Sequence, residues 1–399
     1  MSTGSGQSAA LNTAFATPLQ AVVKNSVGTP VAGVPVVFTA PASGASGTFN
    51  GSATVVTNGS GIAVAPAFTA NGVTGTYSVV ATTGSLSTSF TLTNTAGALF
   101  PQTNVGYFFN SNFVLDANGS GSYEGPPQDK FFFYVTQQPG DIAVFGDWNG
   151  DGHTKVGIYR NGFWILDYNG NGVYDYPIDK FYGLGGATTD GFIPIVGDWN
   201  HDGRSKIGFY KSGFWCLDYN GNGTYDGSVL DRFFGFGGNA NEFPLLGDWN
   251  HDGRTKVGIF YNGNFMLDYD GDNAYTLADK FYTYLPFTAG DKPVVGDWSG
   301  NGFSKIGIYR NGFWILDYNG NGVYDYPLDK FYGFGGNPGE IPLVGDWNGD
   351  GRSKVGIYLR GFWILDFNGN GSFDGTGVGQ DRFIGFGGNS GEQPIIGKW

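Results

Sequence analysis

Oxygen-bearing side chains recur at a fixed spacing in a short loop of the last three hundred residues. In one copy, Asp167, Asn169, Asn171 and Asp175 occupy positions 1, 3, 5 and 9, and Gly172 occupies position 6. Calcium takes about six to eight oxygen ligands from a loop that turns sharply, so this spacing predicts a structural calcium site. Three more loops repeat the pattern: Asp218, Asn220, Asn222 and Asp226; Asp317, Asn319, Asn321 and Asp325; and Asp366, Asn368, Asn370 and Asp374.

Two further copies of this later loop are degenerate, and a further carboxylate, such as Asp179, follows each copy. The alternative to a metal site is a set of Asx-turns, in which side-chain oxygens accept backbone N–H groups and no ion is required. The residues of the degenerate copies are Asp116, Asn118, Ser120 and Glu124, and Asp268, Asp270, Asp272 and Thr276.

An earlier loop in each repeat has a similar pattern but carries lysine at position 9. In one copy, Asp147, Asn149 and Asp151 are followed by Lys155. An ammonium group among the ligands repels a divalent cation at close range, so we expect lysine to bridge the carboxylates in the cation's place. A metal ion in these loops is the open alternative. The other lysines at this position are Lys206, Lys256, Lys305 and Lys354.

Both loops belong to a repeat of about fifty residues. Its markers are Gly-Asp/Lys-Trp, Leu-Asp and Asp-Lys/Arg-Phe, and each occurs six times. One unit contains four β-rich runs, which is typical of a β-propeller blade, and Asn-Gly pairs such as Asn161-Gly162 predict tight hairpins. The first unit begins at its second strand, near residue 104, and the chain ends with the missing strand, at 394–399. We therefore expect a six-bladed ring over 98–399, closed by one blade shared between the start of the repeats and the C-terminus.

Residues 1–97 have a different composition. Lys24 is the single charged side chain of the first hundred residues, and His, Asp, Glu and Cys are absent there. This region therefore lacks the side chains for acid–base or metal chemistry. Short β-rich runs separated by turn residues predict a β-sandwich.

Composition excludes several functional classes. The net charge is −13, and an acidic surface disfavours nucleic acid and anionic membranes. There is no apolar stretch long enough for a transmembrane helix, and the N-terminus lacks the features of a signal peptide. The chain is therefore either cytosolic or a mature or excised piece of a secreted protein, and composition leaves both alternatives open. Cys216 has no disulfide partner and replaces an isoleucine of sister repeats, so we expect a small buried hydrophobe.

Repetition of the polar residues argues against an enzyme, because catalysis needs a unique constellation. His153, His201 and His251 all lie inside the repeated earlier loops. Four recurring tryptophans leave two alternatives open, stacking on sugar rings or packing between blades, and the second is favoured because blades are covered on both faces. They are Trp164, Trp215, Trp314 and Trp363.

Two family resemblances follow from these motifs. Residues 30–39, with the turn and strand at 57–63, resemble bacterial Ig-like domains of invasin and intimin type, which implies a stalk on an extracellular protein. Residues 101–399 resemble FG-GAP/VCBS propellers of integrin α type. That resemblance implies calcium in the later loops and a role in adhesion, glycan binding or protein contact.

The resulting expectation is an all-β chain with an Ig-like β-sandwich at 1–97 and a six-bladed β-propeller at 98–399. We expect an extracellular or cell-surface fragment of a larger surface protein that is not an enzyme. Its partner would be a glycan or a cell-surface or matrix protein, and its ion would be structural calcium. A multivalent lectin-like propeller, or a targeting module of a secreted polysaccharide-active protein, is the alternative.

Overall fold

A computed structural model describes residues 3–10, 14–15, 17–71, 73, 75–95, 102–376 and 380–399. The chain divides into two compact units, Met1–Leu99 and Phe100–Trp399. The predicted boundary between residues 97 and 98 lies outside the described residues. Regular structure in the described part consists of β-strands and one short 3-10 turn, Thr188–Asp190. In this part of the chain, no helix has the length and apolar character needed to span a membrane.

The first unit contains a five-stranded sheet and two two-stranded sheets. The order of the large sheet is β1-β9-β8-β3-β5, with β1 parallel to β9, and the small sheets pair β2 with β6 and β4 with β7. Val79, Phe90 and Leu92 are fully buried in its core. The strands are β1 (Gln7–Ala10), β2 (Gln20–Val22), β3 (Pro35–Thr39), β4 (Gly47–Phe49), β5 (Thr54–Val56), β6 (Ile62–Val64), β7 (Phe68–Ala70), β8 (Gly75–Thr83) and β9 (Leu86–Thr95).

The second unit consists of four-stranded antiparallel sheets in a propeller-like arrangement, and its described residues form six of them. Sheets 2 to 6 each use four consecutive strands. Sheet 2 has β13 (Ile142–Gly146), β14 (Lys155–Arg160), β15 (Phe163–Leu166) and β16 (Lys180–Gly183); sheet 3 has β17 (Ile193–Gly197), β18 (Lys206–Lys211), β19 (Phe214–Leu217) and β20 (Arg232–Gly235); sheet 4 has β21 (Phe243–Gly247), β22 (Lys256–Tyr261), β23 (Asn264–Leu267) and β24 (Lys280–Thr283). Sheet 5 has β25 (Lys292–Gly296), β26 (Lys305–Arg310), β27 (Phe313–Leu316) and β28 (Lys330–Gly333); sheet 6 has β29 (Ile341–Gly345), β30 (Lys354–Leu359), β31 (Phe362–Leu365) and β32 (Arg382–Gly385).

Sheet 1 combines both ends of the repeat region. Its order is β12 (Lys130–Phe133), β11 (Asn112–Leu115), β10 (Asn104–Phe109) and β33 (Gln393–Gly397). The last strand is antiparallel to β10, with Asn104 opposite Gly397 and Phe108 opposite Gln393. The predicted pairing of the final strand with the first strand of the repeats is therefore present.

Alternate side chains of a strand point to opposite faces of its sheet, and a neighbouring sheet covers each face. In sheet 2, Ile158 and Ile165 face one way and pack in a cluster with residues of sheet 1. Tyr159 and Trp164 face the other way and pack against Ile207 of sheet 3. A strand with neighbours on both faces buries consecutive residues, which explains the nearly continuous apolar runs in the sequence.

The tryptophans settle the alternative left open by the sequence. Trp164, Trp215, Trp314 and Trp363 have 0% exposed surface, so none of them can stack on a sugar. The Trp164 indole N–H donates to the carbonyl of Leu184 at 2.9 Å, and the other three indoles make the equivalent bond. Cys216 is also buried, as expected, and burial raises the pKa of its thiol to about 12.

Consecutive sheets are bonded to each other beside the earlier loops. The Ser205 N–H of sheet 3 donates to the Asp147 carbonyl of sheet 2 at 2.8 Å, and Ser205 Oγ accepts the Asp147 N–H at 2.9 Å. The same reciprocal pair continues from sheet to sheet and joins sheet 6 back to sheet 1. The other pairs are Thr154 with Lys398, Thr255 with Asp198, Ser304 with Asp248, Ser353 with Asp297, and Thr103 with Asp346.

Candidate functional sites

The earlier loops contain the lysine bridge that the sequence predicts. Lys155 Nζ lies 3.2 Å from Asp147 Oδ1 and 2.5 Å from Asp151 Oδ1, and it donates to the His153 carbonyl at 2.9 Å. In the loop of Lys305 the position-5 carboxylate is replaced by the amide oxygen of Asn301, at 2.6 Å. The same arrangement recurs at Lys206, Lys256 and Lys354.

Electrostatics favour the charged state of these carboxylates. The bridging lysine side chains are 2–4% exposed, so their ammonium groups depend on the loop oxygens for solvation. A hydrogen bond from Lys155 holds the pKa of Asp151 down at about 2. At Asp202 burial opposes ionisation, but bonds from Lys206 and the Arg204 N–H outweigh it and lower the pKa.

Replacing one bridging lysine by aspartate converts an earlier loop to the pattern of the later loops. In Lys206→Asp the carboxylates of Asp198 and Asp202 lose their counter-charge and gain a third negative group. We expect the free energy of unfolding to fall by about 2 kcal/mol in EDTA, because the hydrogen bonds from a buried ammonium to charged groups are lost and a third carboxylate is added. Millimolar calcium should restore most of the loss, measured by urea unfolding with and without calcium.

Lys206→Met is the matched control for that experiment. It removes the ammonium without adding a ligand, so it should be destabilised equally in EDTA and in calcium. Equal destabilisation of Lys206→Asp in both buffers would contradict the interpretation that lysine occupies a cation position.

The later loops gather the predicted ligand residues. Asp167 is 1% exposed, and its carboxylate accepts the N–H groups of Gly170, Asn171 and Gly172 at 2.8, 3.2 and 2.9 Å. The amide groups of Asn169 and Asn171 both donate to the Asp175 carboxylate, at 3.2–3.3 Å. The same contacts group Asp218, Asn220, Asn222 and Asp226; Asp317, Asn319, Asn321 and Asp325; and Asp366, Asn368, Asn370 and Asp374.

The donor set of these loops fits a calcium ion. The side-chain ends at positions 3, 5 and 9 converge within hydrogen-bonding distance, close to the spacing of neighbouring oxygens around an ion with Ca–O distances of about 2.4 Å. To present their oxygens to an ion, the amides of Asn169 and Asn171 must turn away from the N–H groups of Asn171 and Val173, which those oxygens accept at 2.9 and 2.7 Å. The backbone bonds to Asp167 are also those of an Asx-turn, so the loop closes with its own donors as well.

A second carboxylate, outside positions 1 to 9, holds each later loop by accepting its backbone N–H groups. Asp179 is 0% exposed, and it accepts the Tyr168 N–H at 2.8 Å and the Asp175 N–H at 3.2 Å. It also accepts the hydroxyl of Tyr134 from sheet 1, at 3.3 Å. The fixed Asp-Lys/Arg-Phe marker is the sequence signal for this role, which spacing within the loop did not reveal. Equivalent residues are Asp129, Asp231, Asp279, Asp329 and Asp381.

The position-1 aspartate of a later loop is buried close to the second carboxylate, and this disfavours its ionised form. Burial, with Asp179 nearby, raises the pKa of Asp167 to about 6. In a degenerate loop, burial and Asp279 raise the pKa of Asp268 to about 7. Ligand oxygens of Asp268, Asp270 and Asp279 lie within 4.8 Å of one another. The loop that lacks the glycine therefore still brings carboxylates together.

The position-6 glycine of the later loop has a second function that the spacing did not indicate. Gly223 has a φ of +84°, and a Cβ added there would lie 1.9 Å from the Tyr182 ring of the preceding sheet. Gly322 and Gly371 meet Tyr282 and Tyr332 at the same distance. These glycines thus permit close packing between sheets as well as the turn itself.

Cavities recur between neighbouring sheets at the loop end. One lies between sheets 2 and 3, one between sheets 4 and 5, and one between sheets 5 and 6. Each is lined by two tyrosines of one sheet, such as Tyr168 and Tyr182, and by both loops of the next sheet, such as Lys206 and Asn220. Aromatic rings beside amide groups are suited to small polar ligands.

Half-exposed phenylalanines recur on the edge strands. The second residue of the last strand in every sheet is a phenylalanine with 49–56% of its surface exposed, and we call these the rim phenylalanines: Phe131, Phe181, Phe233, Phe281, Phe331 and Phe383. In sheets 2, 3, 5 and 6 each stacks on a second half-exposed phenylalanine, with centroids 5.3–6.0 Å apart. The pairs are Phe163–Phe181, Phe214–Phe233, Phe313–Phe331 and Phe362–Phe383.

Comparison with known proteins gives weak similarities only. No protein-family model and no curated protein matches the sequence. A lectin of Agrocybe aegerita that recognises non-reducing terminal N-acetylglucosamine aligns with TM-score 0.46 and 16% identity, over 70% of this chain and 75% of the lectin.

Two other solved structures align over most of this chain. Invasin, a bacterial integrin-binding protein, gives TM-score 0.22 and 13% identity over 97% of this chain and 73% of its own. A quinoprotein alcohol dehydrogenase-like protein of Bacteroides thetaiotaomicron gives 0.31 and 9% over 98% and 96%. All three TM-scores are low, so the fold class rests on the sheets described above.

Proposed function

We propose that the chain is an extracellular, non-enzymatic recognition module, a piece of a larger surface protein. Residues 98–399 would form a six-bladed propeller, and residues 1–97 an Ig-like stalk domain. The cycle of reciprocal hydrogen bonds between sheets supports the ring, because it passes from Thr103 beside sheet 1 through every sheet and back to Lys398. The pairing of β33 with β10 covers the strand edge that sheet 1 would otherwise leave open.

Calcium would be structural in this module. The four complete later loops would hold it through their position 1, 3, 5 and 9 side chains, as in Asp167, Asn169, Asn171 and Asp175. When bound, the ion supplies positive charge that stabilises the ionised carboxylates. The chain itself positions the oxygens through the backbone bonds to Asp167 and the bonds that Asp179 accepts.

The absence of enzymatic activity is proposed from how the polar side chains are used. Each bridging lysine is bonded to at least two loop side chains, and each position-1 aspartate of the complete later loops to three backbone N–H groups. Those contacts repeat from sheet to sheet, so they build loops rather than a single reactive centre.

Recognition is the function that the rim phenylalanines support best. A soluble protein rarely exposes large apolar side chains in a regular series, and such a series marks an interaction surface. Several equivalent sites on one molecule strengthen binding to a repetitive partner without any single tight contact. A cell-surface or matrix protein, or a glycan polymer, presents such a repetitive surface.

Threonine substitution of four rim phenylalanines tests this function. The variant carries Phe181→Thr, Phe233→Thr, Phe331→Thr and Phe383→Thr. We expect it to fold but to lose about tenfold or more of its binding, since aromatic anchors carry most of the energy of an interface. The measurement is biolayer interferometry against immobilised collagen, fibronectin, laminin, cellulose and chitin.

The matched control removes exposed apolar side chains from the first unit instead. Val27 and Val56 are 81% and 58% exposed, and Val27→Thr with Val56→Thr should leave binding unchanged. Binding by the rim variant at the wild-type level would contradict the proposal.

Multivalent glycan binding is the second candidate, and the recurring cavities between sheets favour it. They place tyrosine rings beside amide side chains, as sugar recognition requires, where the buried tryptophans cannot. A glycan array probed with and without calcium tests it. Calcium-dependent signals support the lectin function, and silence together with binding to matrix proteins supports adhesion.

A further inference from the structure

The cavities between sheets differ at two positions of the earlier loop, 5 and 7. At position 5, Asn301 replaces the aspartates Asp202 and Asp350 of the other two cavities. Arg204 and Arg352 line the cavities between sheets 2 and 3 and between sheets 5 and 6, and each of these measures about 50 Å³. Phe303 takes that place between sheets 4 and 5, where the cavity measures about 300 Å³. Among these three cavities, the one between sheets 4 and 5 is therefore the largest and the one without an arginine.

The two arginines and Phe303 all contact position 4 of the earlier loop in the preceding sheet, which is Gly150 or Gly300 opposite an arginine and His251 opposite Phe303. The space beside Gly150 is filled by Arg204, whose Cγ lies 3.0 Å from the Cβ position of that glycine, and Arg352 lies 2.8 Å from that of Gly300. Phe303 instead packs against the ring of His251, with centroids 5.2 Å apart. Loss of the long side chain explains why this cavity is open.

Aromatic side chains dominate the wall of the open cavity. Tyr269 and Tyr282 come from sheet 4, and Phe303 comes from sheet 5. Within the described part of the chain, the Tyr269 and Tyr282 hydroxyls have no hydrogen-bond partner. Asn301 and Asn319 add amide groups at the same wall. A ligand that pairs with these groups needs an apolar face and several hydroxyls.

Charge in the cavity disfavours an ionic ligand. The Lys305 ammonium is already bonded to Asn301 at 2.6 Å, to Asp297 at 3.3 Å and to the Phe303 carbonyl at 3.1 Å, so it is not available to an anion. Asp317 is 1% exposed and lines the same space, which further excludes negative groups. The Lys305 ammonium and that of Lys280, which lies 4.8 Å from the centroid of the Tyr269 ring, disfavour a cation. A neutral ligand remains.

We propose that this cavity between sheets 4 and 5 is a binding site for one neutral sugar ring. Its volume matches the lower end of small-ligand pockets, about 300 Å³, whereas the arginine-lined cavities are too small for a ring. The C–H face of the sugar stacks on the aromatic wall, and its hydroxyls pair with the tyrosines and asparagines. This inference rests on the glycan-binding candidate and reduces it from several equivalent sites to one principal site.

Phe303→Arg tests the site by installing the side chain found at Arg204 and Arg352. The full chain in calcium is titrated with the methyl glycosides of glucose, galactose, mannose and N-acetylglucosamine, by calorimetry and saturation-transfer NMR. We expect at least one to bind with one site per chain, and Phe303→Arg to weaken it about tenfold or more by filling the space. Tyr282→Phe, which keeps the ring, should weaken it several-fold.

Arg204→Phe is the reciprocal variant and should raise the stoichiometry from one site to two. Circular dichroism verifies folding of each variant, and arginine already occupies three equivalent positions, Arg204, Arg254 and Arg352. Absence of binding by all four glycosides, or binding that Phe303→Arg leaves intact, overturns the inference. If Phe303→Arg leaves binding intact, the glycan function stands and only the proposed location of the site is wrong. If no glycan binds while the rim phenylalanines still mediate adhesion, both the inference and the lectin candidate are wrong.

Discussion

Deletion of residues 393–399 is expected to abolish cooperative folding of the second unit. The deletion removes β33, which pairs with β10 along its whole length. It also removes Trp399, which is 7% exposed and donates to the Val105 carbonyl at 3.2 Å, and Lys398, which bonds Thr154 of the next sheet. The cycle of contacts between sheets is then open at one place, and the inner edge of sheet 1 is exposed.

Differential scanning calorimetry and size-exclusion chromatography measure this effect. We expect the truncated chain to lose the main thermal transition and to aggregate, while the first unit, which is compact by itself, keeps its own transition. Addition of the synthetic peptide Gln-Pro-Ile-Ile-Gly-Lys-Trp should restore folding in a concentration-dependent way. An unchanged transition in the truncated chain would show that the other five sheets are stable without closure.

Without calcium, the protein should be more stable at pH 5 than at pH 7.5. Burial raises the pKa of Asp167, Asp218, Asp317 and Asp366 to about 6, from an ordinary value of 3.8. A raised carboxyl pKa means that the folded state disfavours the charged form. The resulting penalty is complete above the folded pKa and disappears as the pH falls from about 6 towards 4. Each tenfold change in a proton-binding equilibrium corresponds to about 1.4 kcal/mol of stability.

Stability should fall again below pH 4. Asp151 has a lowered pKa of about 2, because it is bonded to Lys155, so its contribution is lost only in that range. The optimum in EDTA therefore lies near pH 5, and thermal unfolding across pH 3–8 measures it.

Calcium should remove the penalty at neutral pH, because an ion stabilises the ionised carboxylates. Each site adds about 2.7 kcal/mol at a hundredfold excess over its dissociation constant, so four sites raise the melting temperature strongly at pH 7.5 and little at pH 5. Asp175→Asn is the matched variant and should remove one of the four sites in calorimetric titration. A melting temperature that calcium leaves unchanged at both pH values would contradict the proposed sites.

Much of the propeller-like architecture is predictable because the same local sequence signals recur from one repeat to the next. Asn161-Gly162 predicts a hairpin, and both residues have positive φ. The position of Lys155 relative to Asp147 and Asp151 predicts the bridge, since the loop leaves little choice of partner. In these cases, the contacts are set within about ten residues of sequence.

Features that depend on neighbouring sheets were not predictable from one repeat. Trp164 and Phe163 are adjacent aromatic residues, yet one is fully buried and the other is 47% exposed. Alternation assigns them to opposite faces, but the coverage of each face is set by another sheet. The reciprocal bonds of Ser205 and the contact of Tyr182 with Gly223 were missed for the same reason.

The first unit shows the same limit. The run at 19–24 predicts one strand, of which β2 occupies Gln20–Val22, but the parallel pairing of β1 with β9 has no local signal. A parallel pair joins distant segments, so its register follows from packing of the whole unit rather than from turn residues.

The composition of sheet 1 has a consequence for the order of events during synthesis. Asn104 and Gly397 are neighbours in the sheet but are translated at opposite ends of the repeat region. Sheets 2 to 6 can each form from contiguous chain as it leaves the ribosome, whereas sheet 1 has only three strands until residues 393–397 emerge. The nascent protein therefore carries an unpaired apolar edge until that strand is made, which is the period when a chaperone or a neighbouring nascent chain has access to it.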